Sequence, residues 1–306
     1  MNTSINTSIN TSMGASEWFM LIILSILWGG SFFFVGVAVS ELQPFTIVTI
    51  RVGLAAVALW VVIFAFKMPL PKNLAAWKAL LIMGLLNNVI PFTLIVWGQI
   101  YIPSGLASIL NATTPLFGVI VATIFLPDEK ATILKAVGVI IGFVGVVLMF
   151  GLPNHNQNFL AQLAILGATL TYAFAGVFGR RFKTMAIPPI VTAAGQVTGA
   201  TLLLIPITYI IEGVPSLPVI SNETWLSLIA LSLLSTAVAY ILYFKILERA
   251  GATNLLLVTL LVPVSAILLG ALFLNEKLDI SHFVGMALIA IGLSAIDGRF
   301  WKKVRK

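Results

Sequence analysis

The sequence predicts an all-α integral membrane protein of ten transmembrane helices, arranged as two inverted five-helix repeats. Three observations lead there. Of 306 residues, 60% are apolar and 9% are charged, against about a quarter charged in soluble domains. So little charge cannot cover a globule in water, so the surrounding solvent has to be mostly hydrocarbon. Apolar runs close to the ~20 residues that cross a bilayer as a helix recur from end to end. Finally, one pattern occurs twice, as "PLFGVIVATIFLPDEK" from Pro115 and as "PVSAILLGALFLNEK" from Pro263.

The apolar runs fall at 18–39, 45–66, 74–97, 103–126, 131–151, 159–179, 189–211, 224–247, 252–274 and 280–297. Short connections separate them. Several carry proline, such as "ELQPF", "FKMPLPKN" and "GVPSLPVISNE", which suits helix termini. Residues 1–17 repeat Asn-Thr-Ser three times and are expected to form a disordered polar tail. They lack the basic flank of a signal peptide, so the first helix is expected to be retained. The expected divisions are a first repeat over 18–151, a linker at 152–158, a second repeat over 159–298 and a basic cytoplasmic tail at 299–306.

Lysine and arginine set the orientation. With a cytoplasmic N-terminus, fifteen of the 17 basic residues fall on the inner side, Lys277 alone falls outside and Arg51 lies within a span. That bias is expected to place both termini on the cytoplasmic side of the membrane. The net charge of +7 is then explained by orientation against anionic head groups. A nucleic-acid partner is not expected, and the lipid bilayer is.

The doubled pattern extends in both directions. Glu129 and Lys130 recur as Glu276 and Lys277, and Gly138, Gly145 and Gly151 recur as Gly285, Gly292 and Gly298, all 147 residues apart. More weakly, the stretch around Trp28 matches that around Tyr172. Five helices per copy is an odd number, so the copies enter the membrane in opposite senses. Inverted repeats of this kind characterise secondary transporters, with a substrate site near the midplane between the copies.

The stretches "LWGGSFFFVGVAVSELQPFTIVTIR" and "AYILYFKILERAGATNLLLVTLLVPVSAILLGALFLNEK" resemble the EamA-type transporters of the drug/metabolite transporter superfamily. The resemblance covers nearly the whole chain after residue 17. It implies ten helices, a cavity between the two halves and export of small metabolites. Among such proteins the chain looks most like bacterial exporters of amino acids, aromatic ones included. One departure is "FLPDEK", where the family usually has a glycine before the glutamate; "LNEK" shows similar freedom in the second half. Exporters of cationic drugs, quaternary amines or purines share the fold and stand as the alternative.

Polar groups at mid-membrane depth are the candidates for the substrate cavity, because an unsatisfied polar atom facing lipid costs several kcal/mol. Ser108 and Asn111 share one face of the fourth span. Thr236, Tyr240 and Tyr243 share one face of the eighth. Trp28 and Ser31 lie together in the first span, Tyr172 is the repeat mate of Trp28, Asn88 is in the third span and Thr259 in the ninth. Trp28 lies too deep for the interfacial aromatic belt; it reads either as helix packing or as a flat wall for an aromatic substrate. Pro91, Pro115 and Pro263 are candidate kinks, the last two near the midplane where matched kinks would serve as hinges. Arg51, the charge that lies deepest within a span, either snorkels to the outer head groups or attracts a substrate carboxylate.

All ten acidic residues lie in loops or at helix ends, the two histidines are peripheral and there is no cysteine. Disulfides, thiolate chemistry and metal or cofactor sites are therefore not expected. A membrane-embedded enzyme would need convergent acids or a nucleophile–base pair, and is a remote alternative. Proton-coupled pumps keep a titratable group mid-membrane, so transport is expected not to depend on an intramembrane carboxylate. Glycines at 138, 142, 145, 285 and 292 allow close helix contact; a monomer is the expectation, with a dimer as the alternative.

Overall fold

A computed structural model of the chain describes residues 14–127, 129, 132–150, 157–213, 220–255 and 257–297. The Asn-Thr-Ser repeats of the tail, linker positions 152–156 and the basic stretch 299–306 lie outside the described residues. Among the described residues every regular element is a helix. In chain order these are α1 (Ala15–Ala38), α2 (Pro44–Ala65), α3 (Leu74–Gly98), α4 (Ser104–Phe125), α5 (Ile133–Phe150), α6 (Gln157–Gly179), α7 (Pro189–Ile211), α8 (Asn222–Gly251), α9 (Val258–Phe273) and α10 (Ile280–Asp297). A single turn, Arg181–Thr184, follows α6. The helices α1–α4 and α6–α8 are long and apolar enough to cross a membrane, and α5, α9 and α10 are shorter apolar helices.

The helix starts follow local chemistry. Pro44 and Pro189 occupy the first turns of α2 and α7, where the missing N–H has no intrahelical partner to lose. Asn73 caps α3 by accepting from the Ala76 N–H at 2.7 Å, and Ser221 caps α8 by accepting from Thr224 N–H at 3.2 Å.

Packing partners come in matched sets. Helix α1 packs on α9 and α6 on α4; α3 packs on α7 and α8 on α2; α3 also meets α6, as α8 meets α1. The pairs α2–α7 and α5–α10 complete the bundle. Two apolar cores result, one built mainly on α2, α3 and α7, the other on α1, α4, α6 and α9, and Tyr172 packs against both. At the α5–α10 seam a Cβ on Gly145 would stand 2.7 Å from the Gly285 carbonyl oxygen. A Cβ on Gly138 would likewise meet the Gly292 carbonyl. The glycine stripes are thus consumed inside one chain.

Four interruptions break the regularity of the helices. Helix α3 contains a π turn at Leu85–Val89 and α8 one at Leu233–Val238, at corresponding places in the two halves. Helix α4 breaks after Asn111 and restarts at Thr114, with Pro115 in the restarted first turn. In α8 the backbone leaves helical geometry at Gly251, with φ +78°, a conformation that costs glycine nothing. Pro91 sits at the first turn after the α3 π turn. Pro263 differs from its mate Pro115, since α9 runs through it without a break.

Candidate substrate site

The two π turns place polar side chains where α2, α3, α7 and α8 meet. An extra residue in the turn lets the Thr236 hydroxyl reach back five residues and donate to the Leu231 carbonyl at 2.8 Å. Its oxygen remains free to accept, and Arg51 Nε donates to it at 3.0 Å. The Arg51 guanidinium also lies over the Phe92 ring, 3.7 Å from its centroid, a cation–π arrangement. Arg51 is only 7% exposed, so it turns inward to α3 and α8 and does not extend toward head groups. Among the described residues no carboxylate pairs with it.

Beside the arginine lies a network of amides. Asn87 Nδ2 donates to Gln196 Oε1 and to the Tyr240 hydroxyl, both at 3.2 Å. Asn88 Nδ2 donates to the same hydroxyl at 3.0 Å. Asn88 is fully buried, and its Oδ1 has no hydrogen-bond partner among the described residues. On α4 the Oδ1 of Asn111 is likewise enclosed and unpartnered. Such atoms cost about 1–3 kcal/mol each when left unmade. An enclosed amide acceptor on Asn88, beside the Arg51 guanidinium, suits a ligand that brings both a donor and an acceptor.

Aromatic rings line the adjacent side. Trp28 and Tyr243 lie 5.6 Å apart between centroids, and Phe244 meets Tyr243 edge-on at 5.2 Å and stacks with Tyr240 at 6.4 Å.

The sequence candidates therefore separate. Arg51, Asn88, Thr236 and Tyr240 come together, Tyr172 packs against both apolar cores, and Trp28 joins Tyr243 on the neighbouring face. Ser31 and Ser108 spend their hydroxyls on their own helices, donating to the carbonyls of Trp28 at 2.8 Å and Gly105 at 2.7 Å. Asn111 ends the first segment of α4, and Thr259 is half-buried in the first turn of α9. Gln196, Phe92 and Phe244 were not among those candidates. Gln196 carried a usable signal, an amide alone in the middle of an apolar span; Phe92 carried none, because one phenylalanine among many apolar neighbours marks no site.

An apolar, many-helix bundle with a buried cation and amides at its centre is the architecture of a multi-pass membrane transporter. The chain belongs to the EamA-like transporter family, whose model matches it twice, over residues 16–151 and 159–296. It is similar to the "Uncharacterized transporter YoaV" of Bacillus subtilis (strain 168), at 29% identity over 277 residues, covering 89% of this chain and 94% of that one. It is also similar to the "Probable amino-acid metabolite efflux pump" of Escherichia coli (strain K12), at 25% identity over 304 residues, covering 96% and 99%. A crystal structure of a protein 18% identical superposes with a TM-score of 0.67 over 92% of this chain and 97% of the other, a likeness of fold.

Proposed function

We propose that the chain is a secondary transporter that exports amino acids, aromatic ones included, or related small metabolites across the plasma membrane by alternating access. Ten spans in two inverted five-helix repeats would carry the cycle, with both termini in the cytoplasm. Support for the repeat comes from the double family match, the matched helix pairs and the paired π turns in α3 and α8. Inverted repeats place the substrate between the copies, where Arg51 and the amides lie.

The observation that carries the substrate reading is Arg51. A buried cation costs several kcal/mol unless a counter-charge meets it, and the protein supplies a hydroxyl and a ring face. A substrate carboxylate completes the pair. The ring wall of Trp28, Tyr243 and Phe244 suits an aromatic side chain. A cation would be repelled by Arg51, which disfavours the quaternary-amine alternative. No metal or cofactor is invoked, and the glycine seam enclosed between α5 and α10 favours a monomer.

The test is flux of radiolabelled aromatic and aliphatic amino acids, purines and quaternary amines in proteoliposomes. Saturable flux with counterflow is expected for amino acids. Arg51→Gln should cut the apparent affinity for carboxylated substrates by about 10- to 100-fold, the strength of a charged hydrogen bond, and leave amidated analogues unchanged. Equal loss for both would place Arg51 in packing alone.

A further inference from the structure

Three carboxylates join the two halves of the chain, and all three do so at the predicted outer end. Glu276, just beyond α9, accepts from the backbone N–H of Ser104 at 2.7 Å and of Gly105 at 3.1 Å, and from the Ser104 hydroxyl at 2.8 Å. These groups begin α4. Glu212, at the end of α7, accepts from Phe45 N–H at 2.8 Å, and from both Thr46 N–H and the Thr46 hydroxyl at 2.7 Å. These groups begin α2. Glu41, in the α1–α2 turn, accepts from Ser221 N–H, ahead of α8, at 2.8 Å. Each acid belongs to one half and each helix start to the other. A carboxylate on the free N–H groups of a helix start is charge-assisted and aligned with the helix dipole.

The opposite end differs. Glu129, the repeat mate of Glu276, turns to Lys135 of its own half at 3.4 Å. The carboxylate contact between halves described there is Glu17 with Arg249, at a loose 3.9 Å.

We infer that Glu276, Glu212 and Glu41 are clasps that close the outer mouth of the substrate path, so that this structure is the outward-closed state and outward opening requires their release. The inference rests on the alternating-access reading. It also points to a matching device at the inner end: Gly251 is the repeat mate of Gly105, whose N–H Glu276 holds, so the segment at Gly251 is where Glu129 would close the inner mouth in the opposite state.

The chain contains no cysteine, which permits single-cysteine reporters without background. Ser108→Cys places a thiol one turn inside the clasped α4 start, at a fully buried position. An impermeant maleimide is applied to right-side-out or inside-out vesicles, with Ala55→Cys, buried in the α2 packing, as a control for general loosening. Glu276→Gln should raise outside labelling of S108C at least threefold and leave A55C unlabelled; Glu212→Gln should act in the same direction, and Glu129→Gln should not. Unchanged S108C labelling in E276Q, or A55C rising in parallel, would overturn the clasp. Labelling of S108C at equal rates from both sides, whatever stands at 276, would overturn alternating access itself.

Discussion

Helices α1 and α6 hold the same place in the two halves, yet they meet their partners at different distances. On α1, a Cβ at Gly29 would collide with Ser265 Oγ of α9 and stand 2.8 Å from the Val262 carbonyl. The Ser265 hydroxyl in turn donates to the Ser25 carbonyl of α1 at 2.8 Å. On α6 the repeat mate of Gly29 is Ala173, a buried residue whose Cβ the packing accommodates, and the contact with α4 is made by rings and hydroxyls, Phe174 on Phe125 and Thr113 on Thr169. One seam is closed backbone to backbone and the other through side chains. Side chains can exchange rotamers where backbones cannot, so the two halves need not move alike, though they share one plan.

That contrast is broken most sharply by substitution at the tight seam. Gly29→Ala should destabilise the protein by about 1–3 kcal/mol, the usual cost of forcing atoms into a packed contact. Gly176→Ala should be neutral or gain up to about 1 kcal/mol through helix propensity. Thermal melts of the two variants in detergent measure the difference. Gly176 is exposed on α6, so equal shifts would mean that the seam at Gly29 is no tighter than an open helix surface.

The clasped and unclasped glutamates come next in size. Glu276→Ala strips a helix start of its acceptor and should cost about 0.5–2 kcal/mol, as loss of a cap does. Glu129→Ala removes a half-exposed ion pair with Lys135 and should cost at most about 1 kcal/mol. The same melts apply. A larger loss at Glu129 than at Glu276 would reverse the assignment of which end is closed.

Much of the helical plan was legible because hydrocarbon imposes long apolar runs, and many edges match closely: 45–66 was expected and Pro44–Ala65 is the helix, whereas the ninth run was expected from 252 and its helix begins at Val258. Asn88, Thr236 and Tyr240 were legible as candidates because a polar group at depth needs a reason, and the structure gathers them into one hydrogen-bonded cluster with Arg51. The π turns were not, since one extra residue in a turn leaves no mark on an apolar pattern. Nor was the break at Ala112–Thr113, which stands ahead of Pro115 where a kink was expected. The clasps were hidden for another reason. A glutamate at a helix end reads as a solvated loop acid, and only the fold shows that Glu212 and Glu276 face helix starts in the opposite half.

The smallest effect separates the turns that open the two halves. The α1–α2 turn carries Glu41, whose bonds from the Ser221 side chain and N–H hold its carboxyl below the usual carboxylate range. The corresponding α6–α7 turn carries Lys183 and no acid, and α3 relies on its own Asn73 cap. Because the folded value of Glu41 is depressed, its contribution is present above the unfolded carboxylate value of about 4 and is lost as pH falls through the folded value. Melts recorded from neutral pH down into the acid range should show a slightly shallower acid fall in Glu41→Gln, because one group that must otherwise be protonated is already neutral. An unchanged profile would mean that the exposed bond to Ser221 contributes nothing, and that the outer end is held by Glu212 and Glu276 alone.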